Sequence, residues 1–282
     1  MDSLFKAIKA QLMQLDAAFQ NLTADQIRSR PDKVYAVHLN KLNRLAAVPV
    51  AEEVVRKLLA DPELEQAVLR ISRLKRQIGL SLERRFVESL TCAADPWADL
   101  EQFVYYPNYL ALARMEFAGA GLQEGDRVVF LGSGPLPLSL ICLSRQHGVQ
   151  GVGIEQDQRY AALSERAIHT LGLSREIRII CGDHFVLPLR GPRRLIMVGA
   201  DAVPKAEIFA HLVRALKPGE MISYRIYEKG LRQLFDAGSF FNLPPQFREC
   251  ARIRPEPPVN NTVVFALRTG AYLSKTAADS IP

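Results

Sequence analysis

The sequence predicts an α/β protein: an all-helical front part over residues 1–120, then a sheet covered by helices on both faces over residues 121–270, and a polar tail over 271–282. Three observations predict this. Apolar residues upstream of about residue 120 recur at helical spacing. Downstream, short apolar runs alternate with helical stretches, as in a parallel sheet wound by crossover helices. A glycine pair sits where the first of those runs turns toward a helix.

The front part reads as helices over about 3–20, 33–46, 51–60 and 108–119. A longer helix opens at Asp61-Pro62, an N-cap followed by proline at the first helical position. From there Leu64, Val68, Ile71, Leu74, Ile78, Leu82, Phe86 and Leu90 form one apolar stripe, with Arg70, Lys75, Arg76 and Arg84 off it. Further on, residues 127–131, 151–155, 177–181, 195–199 and 221–225 read as near-continuous apolar strands. Helices are predicted between them over 137–147, 158–171 and 204–216. Arg248–Arg254 and Thr262–Arg268 alternate apolar with polar residues around a Pro-rich connection, which predicts a terminal antiparallel pair.

Bulk composition narrows the classes. The 282 residues are 48% hydrophobic and 23% charged, ordinary for a soluble globular protein. A net charge of +6 and a pI near 9.2 would suit an anionic partner, but the basic residues lie among carboxylates and form no tract, so no nucleic acid is expected. Cys92, Cys142, Cys181 and Cys250 form no C-x-x-C pair, and the five histidines have no ligand spacing, so no metal is expected. The first residues lack an apolar signal core, and no stretch approaches the ~20 apolar residues that span a bilayer. A cytoplasmic protein without membrane contact is expected.

The turn after the first strand is Gly132-Ser133-Gly134-Pro135. Its glycines let backbone pass close to a ligand, although Pro137 breaks the dinucleotide pattern at the third position. The second strand ends at Glu155-Gln156, where a carboxylate reaches ribose hydroxyls. The third ends at Asp183-His184, within reach of an adenine. Together these form the pattern of a class I S-adenosylmethionine-dependent methyltransferase-like (Rossmann-like) fold, with S-adenosylmethionine as co-substrate.

Longer motifs narrow the reading. Gly132-Ser-Gly-Pro-Leu-Pro-Leu138 resembles the nicotianamine synthase hallmark G-S-G-P-L-P-L. Phe103-Val-Tyr-Tyr-Pro-Asn-Tyr109-Leu is similar to that family's F-P-Y-Y-x-N-Y-L segment, and Gly79-Leu-Ser-Leu-Glu83-Arg-Arg-Phe86 to its G-L-L-E-x-H-aromatic helix. Arg85 stands in place of the family's histidine. The resemblance spans roughly residues 60 to 270, and the length fits the bacterial opine-metallophore branch. It implies transfer of the 3-amino-3-carboxypropyl group of S-adenosylmethionine to the α-amino group of histidine, with methylthioadenosine released. It implies a downstream opine dehydrogenase as pathway partner; a homodimer is compatible with it. The product chelates metal; the enzyme need not.

That chemistry needs an unprotonated amine beside the sulfonium's γ-carbon. Glu83, at the edge of the apolar stripe, is the candidate base. Gly79 costs its helix about 1 kcal/mol relative to Ala and leaves room beside Glu83. Tyr109 is the candidate partner for the acceptor amine or the cofactor carboxylate, and Tyr106 for the cofactor pocket. Arg225, at a strand end, is the candidate for pairing with a substrate carboxylate, with Arg232 a weaker one. The enzymatic rival is an ordinary small-molecule methyltransferase. A non-catalytic, RNA-binding reading would use the basic face of residues 70–85.

Overall fold

The structure, a computed structural model, describes residues 2–20, 32–187, 193–228, 230–236, 242–254, 256 and 261–270. Helices α1 (Asp2–Gln20), α2 (Asp32–Ala47), α3 (Glu52–Leu59), α4 (Pro62–Leu90), α5 (Pro96–Glu101) and α6 (Tyr106–Ala120) form the front part. The sheet region runs β1 (Arg127–Leu131), α7 (Leu138–His147), β2 (Gln150–Glu155), α8 (Gln158–Thr170), β3 (Ile177–Cys181), β4 (Leu195–Val198), α9 (Lys205–Ala215), β5 (Met221–Ile226), β6 (Phe247–Ile253) and β7 (Thr262–Arg268). Short 3-10 turns lie at His184–Val186 and Gly230–Asp236. Most of the Pro-rich connection before β7 and all of residues 271–282 fall outside the described residues.

The seven strands form one sheet in the order β3-β2-β1-β4-β5-β7-β6. The first five are parallel; β7 enters antiparallel against β5, and β6 closes the edge against β7. The expected terminal pair is therefore present, and it also extends the main sheet. The chain reverses its winding between β1 and β4, the place where open α/β sheets leave a crevice at the strands' carboxyl ends.

Alternation along the strands decides which layer each residue joins. Val128, Phe130, Leu195 and Met197 point to the face covered by α7, α8 and part of α6. Val129, Leu131, Ile196 and Val198 point to the other face, with Phe209 and Leu212 of α9. Helix α4 begins as expected: the Asp61 carboxylate accepts from the Glu63 backbone N–H at 2.9 Å, with Pro62 at the first position. Its first two-thirds pack with α1 and α3 in a separate core that also takes in Leu231 and Leu234. Its last turns, Val87 and Leu90, join the core against the sheet. The apolar clusters thus divide within α4, upstream of residue 120. Asp16, buried in α1, grips Arg70 of α4 through bonds of 2.6 and 2.8 Å.

Helix α6 seats against the sheet through two contacts. A methyl group on Gly119 would lie 2.3 Å from the ring of the fully buried Phe265 on β7, so only glycine lets the helix come this close. Nearby, Arg225 of β5 is 3% exposed and donates to both carboxylate oxygens of Glu116, 1% exposed, at 3.1 and 2.7 Å, and to Ser139 Oγ at 2.8 Å. Gly119→Ala should destabilise the chain by about 1–3 kcal/mol despite alanine's better helix propensity; a thermal unfolding midpoint at or above wild type would contradict this seating. Arg225→Met alone should cost about 3–5 kcal/mol by stranding the Glu116 charge. Combining it with Glu116→Leu should recover most of that loss in denaturant titrations, and an additive double variant would contradict the pairing.

Candidate active site

A cavity of about 600 Å³ opens along the carboxyl ends of the strands, and its wall follows the sheet order. Asp183 and His184 stand beyond β3, Glu155 and Gln156 at β2, Gly132 and Gly134 beyond β1, Asp201 beyond β4, Tyr227 beyond β5, and Asn261 just before β7. Helix α4 lies across this row and presents Arg76, Gly79, Leu80 and Glu83, spaced i, i+3, i+4 and i+7 on one face. Tyr105, at the N-cap of helix α6, and Asn108 and Tyr109 in its first turn close the cavity.

The glycine loop holds the centre. Gly132 and Gly134 have φ of +79° and +73°, which other residues rarely adopt. A methyl group on Gly134 would stand 3.0 Å from the Glu83 carboxylate, so loop and helix meet there. Glu155 accepts from the Gly134 backbone N–H at 3.0 Å through one oxygen and from Asp157 N–H at 2.9 Å through the other. Each oxygen retains a lone pair for a further donor. Asp183 accepts from Phe185 N–H at 2.9 Å, capping the short 3-10 turn. The His184 ring lies 4.2 Å from Phe185 and 5.5 Å from His211.

Glu83 is half-buried and lines the cavity. Burial first, then the carboxylates of Asp201 and Glu155, push its carboxyl up to about 8, against the Leu136 backbone N–H, which pulls it down. Burial, then Glu83, pushes the Tyr109 phenol well above its ordinary value, with the Arg225 charge pulling it back. Burial and the same carboxylate also raise Tyr105. A carboxyl of that basicity holds or releases a proton near neutral pH, while both tyrosines remain hydrogen-bond donors.

Glu83, Tyr109, Gly132, Gly134, Glu155, Gln156, Asp183 and His184 share one wall, and five expected residues lie off it. Arg225 is not on that wall: its guanidinium is committed to Glu116 and Ser139 and lies 5.8 Å from the Tyr109 ring centre, bracing that ring from within the core. Tyr106 is 8% exposed and packs into the sheet-side core. Residues 105 and 109 are four apart and share a helix face, so Tyr105 faces the cavity with Tyr109 while Tyr106 turns inward. Ser133 turns beneath β2, with its Oγ 2.9 Å from where a methyl on Gly153 would sit, and its N–H donates to the Ile154 carbonyl. Pro135 is buried in the loop and off the wall. Arg232 likewise does not line the cavity.

Asp201, Tyr227, Asn108 and Asn261 went unnoticed in the sequence. Asp201 had a signal: it follows a strand as Glu155 and Asp183 do. Asn261 follows a Pro-rich connection whose path no local pattern fixes. Among the described residues no group of three or more His, Cys, Asp or Glu is placed to hold a metal ion, and no helix is long and apolar enough to cross a membrane.

Known proteins match this arrangement. The family model described as nicotianamine synthase protein matches residues 2–184 and 194–272. Nicotianamine synthase 1 of Oryza sativa subsp. indica is 28% identical over 249 residues, covering 80% of this chain and 72% of that one. Nicotianamine synthase 2 of the same subspecies is 33% identical over 184 residues, covering 59% and 55%. A glutamate-to-glutamine mutant of MtNAS in complex with S-adenosylmethionine superposes with a TM-score of 0.82 at 27% identity, covering 93% of this chain and 98% of that one. MtNAS in complex with MTA and tNA superposes with a TM-score of 0.81 at 27% identity, covering 95% and 98%. With a family match running almost from end to end, the chain belongs to the nicotianamine synthase family.

Proposed function

We propose that this chain is an S-adenosylmethionine-using transferase that moves the 3-amino-3-carboxypropyl group onto the α-amino group of histidine, in the making of an opine-type metallophore. The observation that carries the reading is the position of Glu83: a carboxyl raised to about 8, set against the glycine loop midway along the strand-end cavity. S-adenosylmethionine supplies a sulfonium whose γ-carbon takes the amine's lone pair as the C–S bond breaks, with methylthioadenosine leaving as a neutral thioether. In this reading Glu155 holds a ribose, Asp183 and His184 border an adenine, and the Gly132–Gly134 backbone lets the methionine portion pass; all of them line the cavity.

Glu83 then faces the incoming amine. Raising the carboxyl to about 8 narrows the gap to the more basic α-ammonium of a free amino acid and so lowers the cost of moving its proton to Glu83. Tyr105 and Tyr109 each offer a hydroxyl that orients the amine or a substrate carboxylate. Position alone selects the reacting carbon over the methyl group. The length and helical front part, which resemble the bacterial opine-metallophore branch, support histidine as the acceptor. The product would pass to an opine dehydrogenase of the same cell.

Incubating the protein with S-adenosylmethionine and either enantiomer of histidine should release methylthioadenosine and yield histidine carrying one aminobutyrate unit by mass spectrometry. Release of S-adenosylhomocysteine with a methylated acceptor would instead establish a methyltransferase. Glu83→Gln should bind S-adenosylmethionine and lose turnover by about 10²–10⁴-fold; full activity would remove Glu83 from the chemistry.

The same carboxyl predicts a pH dependence of stability. Its folded pKa, about 8, exceeds the ordinary 4.5, so the folded chain holds a proton that the unfolded chain releases. The contribution is fully present below pH 4.5, is lost as pH rises through the window, and levels off above about 8. Glu83→Gln should therefore raise the unfolding midpoint relative to wild type at alkaline pH but not at pH 4.5. An equal shift at both pH values would contradict a desolvated carboxyl.

A further inference from the structure

The cavity is electrostatically lopsided. Its β3–β2 half carries Asp183 and Glu155, with Glu83 over β1 at the midpoint. Its β4–β5–β7 half is different: Arg76 and Lys75 of α4 face Asp201, Tyr227 and Asn261. Lys75 Nζ lies 3.8 Å over the Tyr227 ring. Arg76 Nε is buried with no hydrogen-bond partner; it is ion-paired with the exposed Asp201, but at 3.7 Å, beyond hydrogen-bond distance. Nδ2 of Asn261 is likewise buried and unpartnered. Buried donors without a hydrogen bond leave this side of the site short of an acceptor.

Arg76 precedes Glu83 by seven residues, about 10 Å along the same helix face. Gly79 lies between them on that face, and a methyl group there would meet nothing within 4 Å. Packing does not require glycine at this point, and it weakens the helix by about 1 kcal/mol. What the glycine leaves is open space between a guanidinium and a basic carboxyl. That space suits a zwitterion, with its carboxylate toward Arg76 and its nitrogen toward Glu83.

We propose that Arg76 is the receptor for the acceptor's α-carboxylate, so that the β4–β5 half of the cavity selects α-amino acids over simple amines. The inference rests on the transfer reading above, and it assigns the arginine role to α4 in place of Arg225. A carboxylate held there fixes the nitrogen relative to Glu83, and Asp201 disfavours an acceptor with a second negative charge on that side. The S-adenosylmethionine carboxylate is the competing partner for Arg76, and the test separates the two.

The test compares histidine with histamine, its counterpart lacking the carboxylate, in wild type, Arg76→Gln and Arg76→Lys, with methylthioadenosine release as readout. Wild type should prefer histidine strongly. Arg76→Gln should lower kcat/KM for histidine by about 10- to 100-fold, leave histamine little changed and keep the KM for S-adenosylmethionine near wild type. Arg76→Lys, which keeps the charge without the fork, should fall between. An equal loss for both acceptors, no loss at all, or a raised KM for S-adenosylmethionine would overturn the assignment. Should Arg76→Gln fail to fold by thermal unfolding, the histidine-to-histamine ratio of Arg76→Lys decides, and a ratio unchanged from wild type overturns it. Wild type that releases no methylthioadenosine with any amine would defeat the transfer reading itself; wild type that does so while Arg76→Gln keeps its preference would defeat only the carboxylate site.

Discussion

The contact between Glu83 and the glycine loop governs the rest of this structure. A carboxyl group reaches within van der Waals distance of Gly134 only because that residue lacks a side chain and adopts a positive φ. The meeting joins α4 to the glycine loop where the helix crosses the carboxyl ends of the strands. It also strips solvent from an acid that neighbouring acids already disfavour as an anion. Architecture and proton affinity therefore meet where one side chain reaches the loop.

Behind that contact stands a polar pair with no opening to the cavity. Arg225 and Glu116 tie β5 to α6, and the guanidinium sits near the faces of Tyr109 and Phe130 at 5.8 and 5.2 Å. A buried ion pair adds little net stability, because desolvation offsets the attraction, but it admits few alternative geometries. Here it fixes the helix face that carries Tyr105 and Tyr109. Gly119 against Phe265 sets the distance, and the ion pair sets the rotation.

Much of this was legible in the sequence because the signals were local. Apolar periodicity gave the parallel strands and their crossover helices to within a residue or two, and Asp61-Pro62 marked the start of α4. The same Asp-Pro signature at Asp95-Pro96 opens α5, where Asp95 caps Ala98 N–H at 3.0 Å, yet a six-residue helix was too short to show periodicity. Strand-end acids pointed to Glu155 and Asp183, and the rule extended one strand further reaches Asp201. Arg225 was misjudged because its partner Glu116 lies on another element far back in the chain, and nothing local distinguishes a buried ion pair from a ligand-binding arginine. Tyr106 and Tyr109 were paired by proximity in sequence, whereas helix geometry pairs residues four apart.

The 3-10 turn at Gly230–Asp236 places Leu231 and Leu234 inside the core built by α1, α3 and the start of α4. The amino-terminal helices are thus sealed by residues that a ribosome delivers after all five parallel strands. During synthesis their apolar faces have no complete partner until the fifth strand and the turn after it have emerged, so the layer made first is finished among the last. A nascent chain halted before that turn would expose a greasy groove, which makes co-translational chaperone engagement a natural companion of this topology.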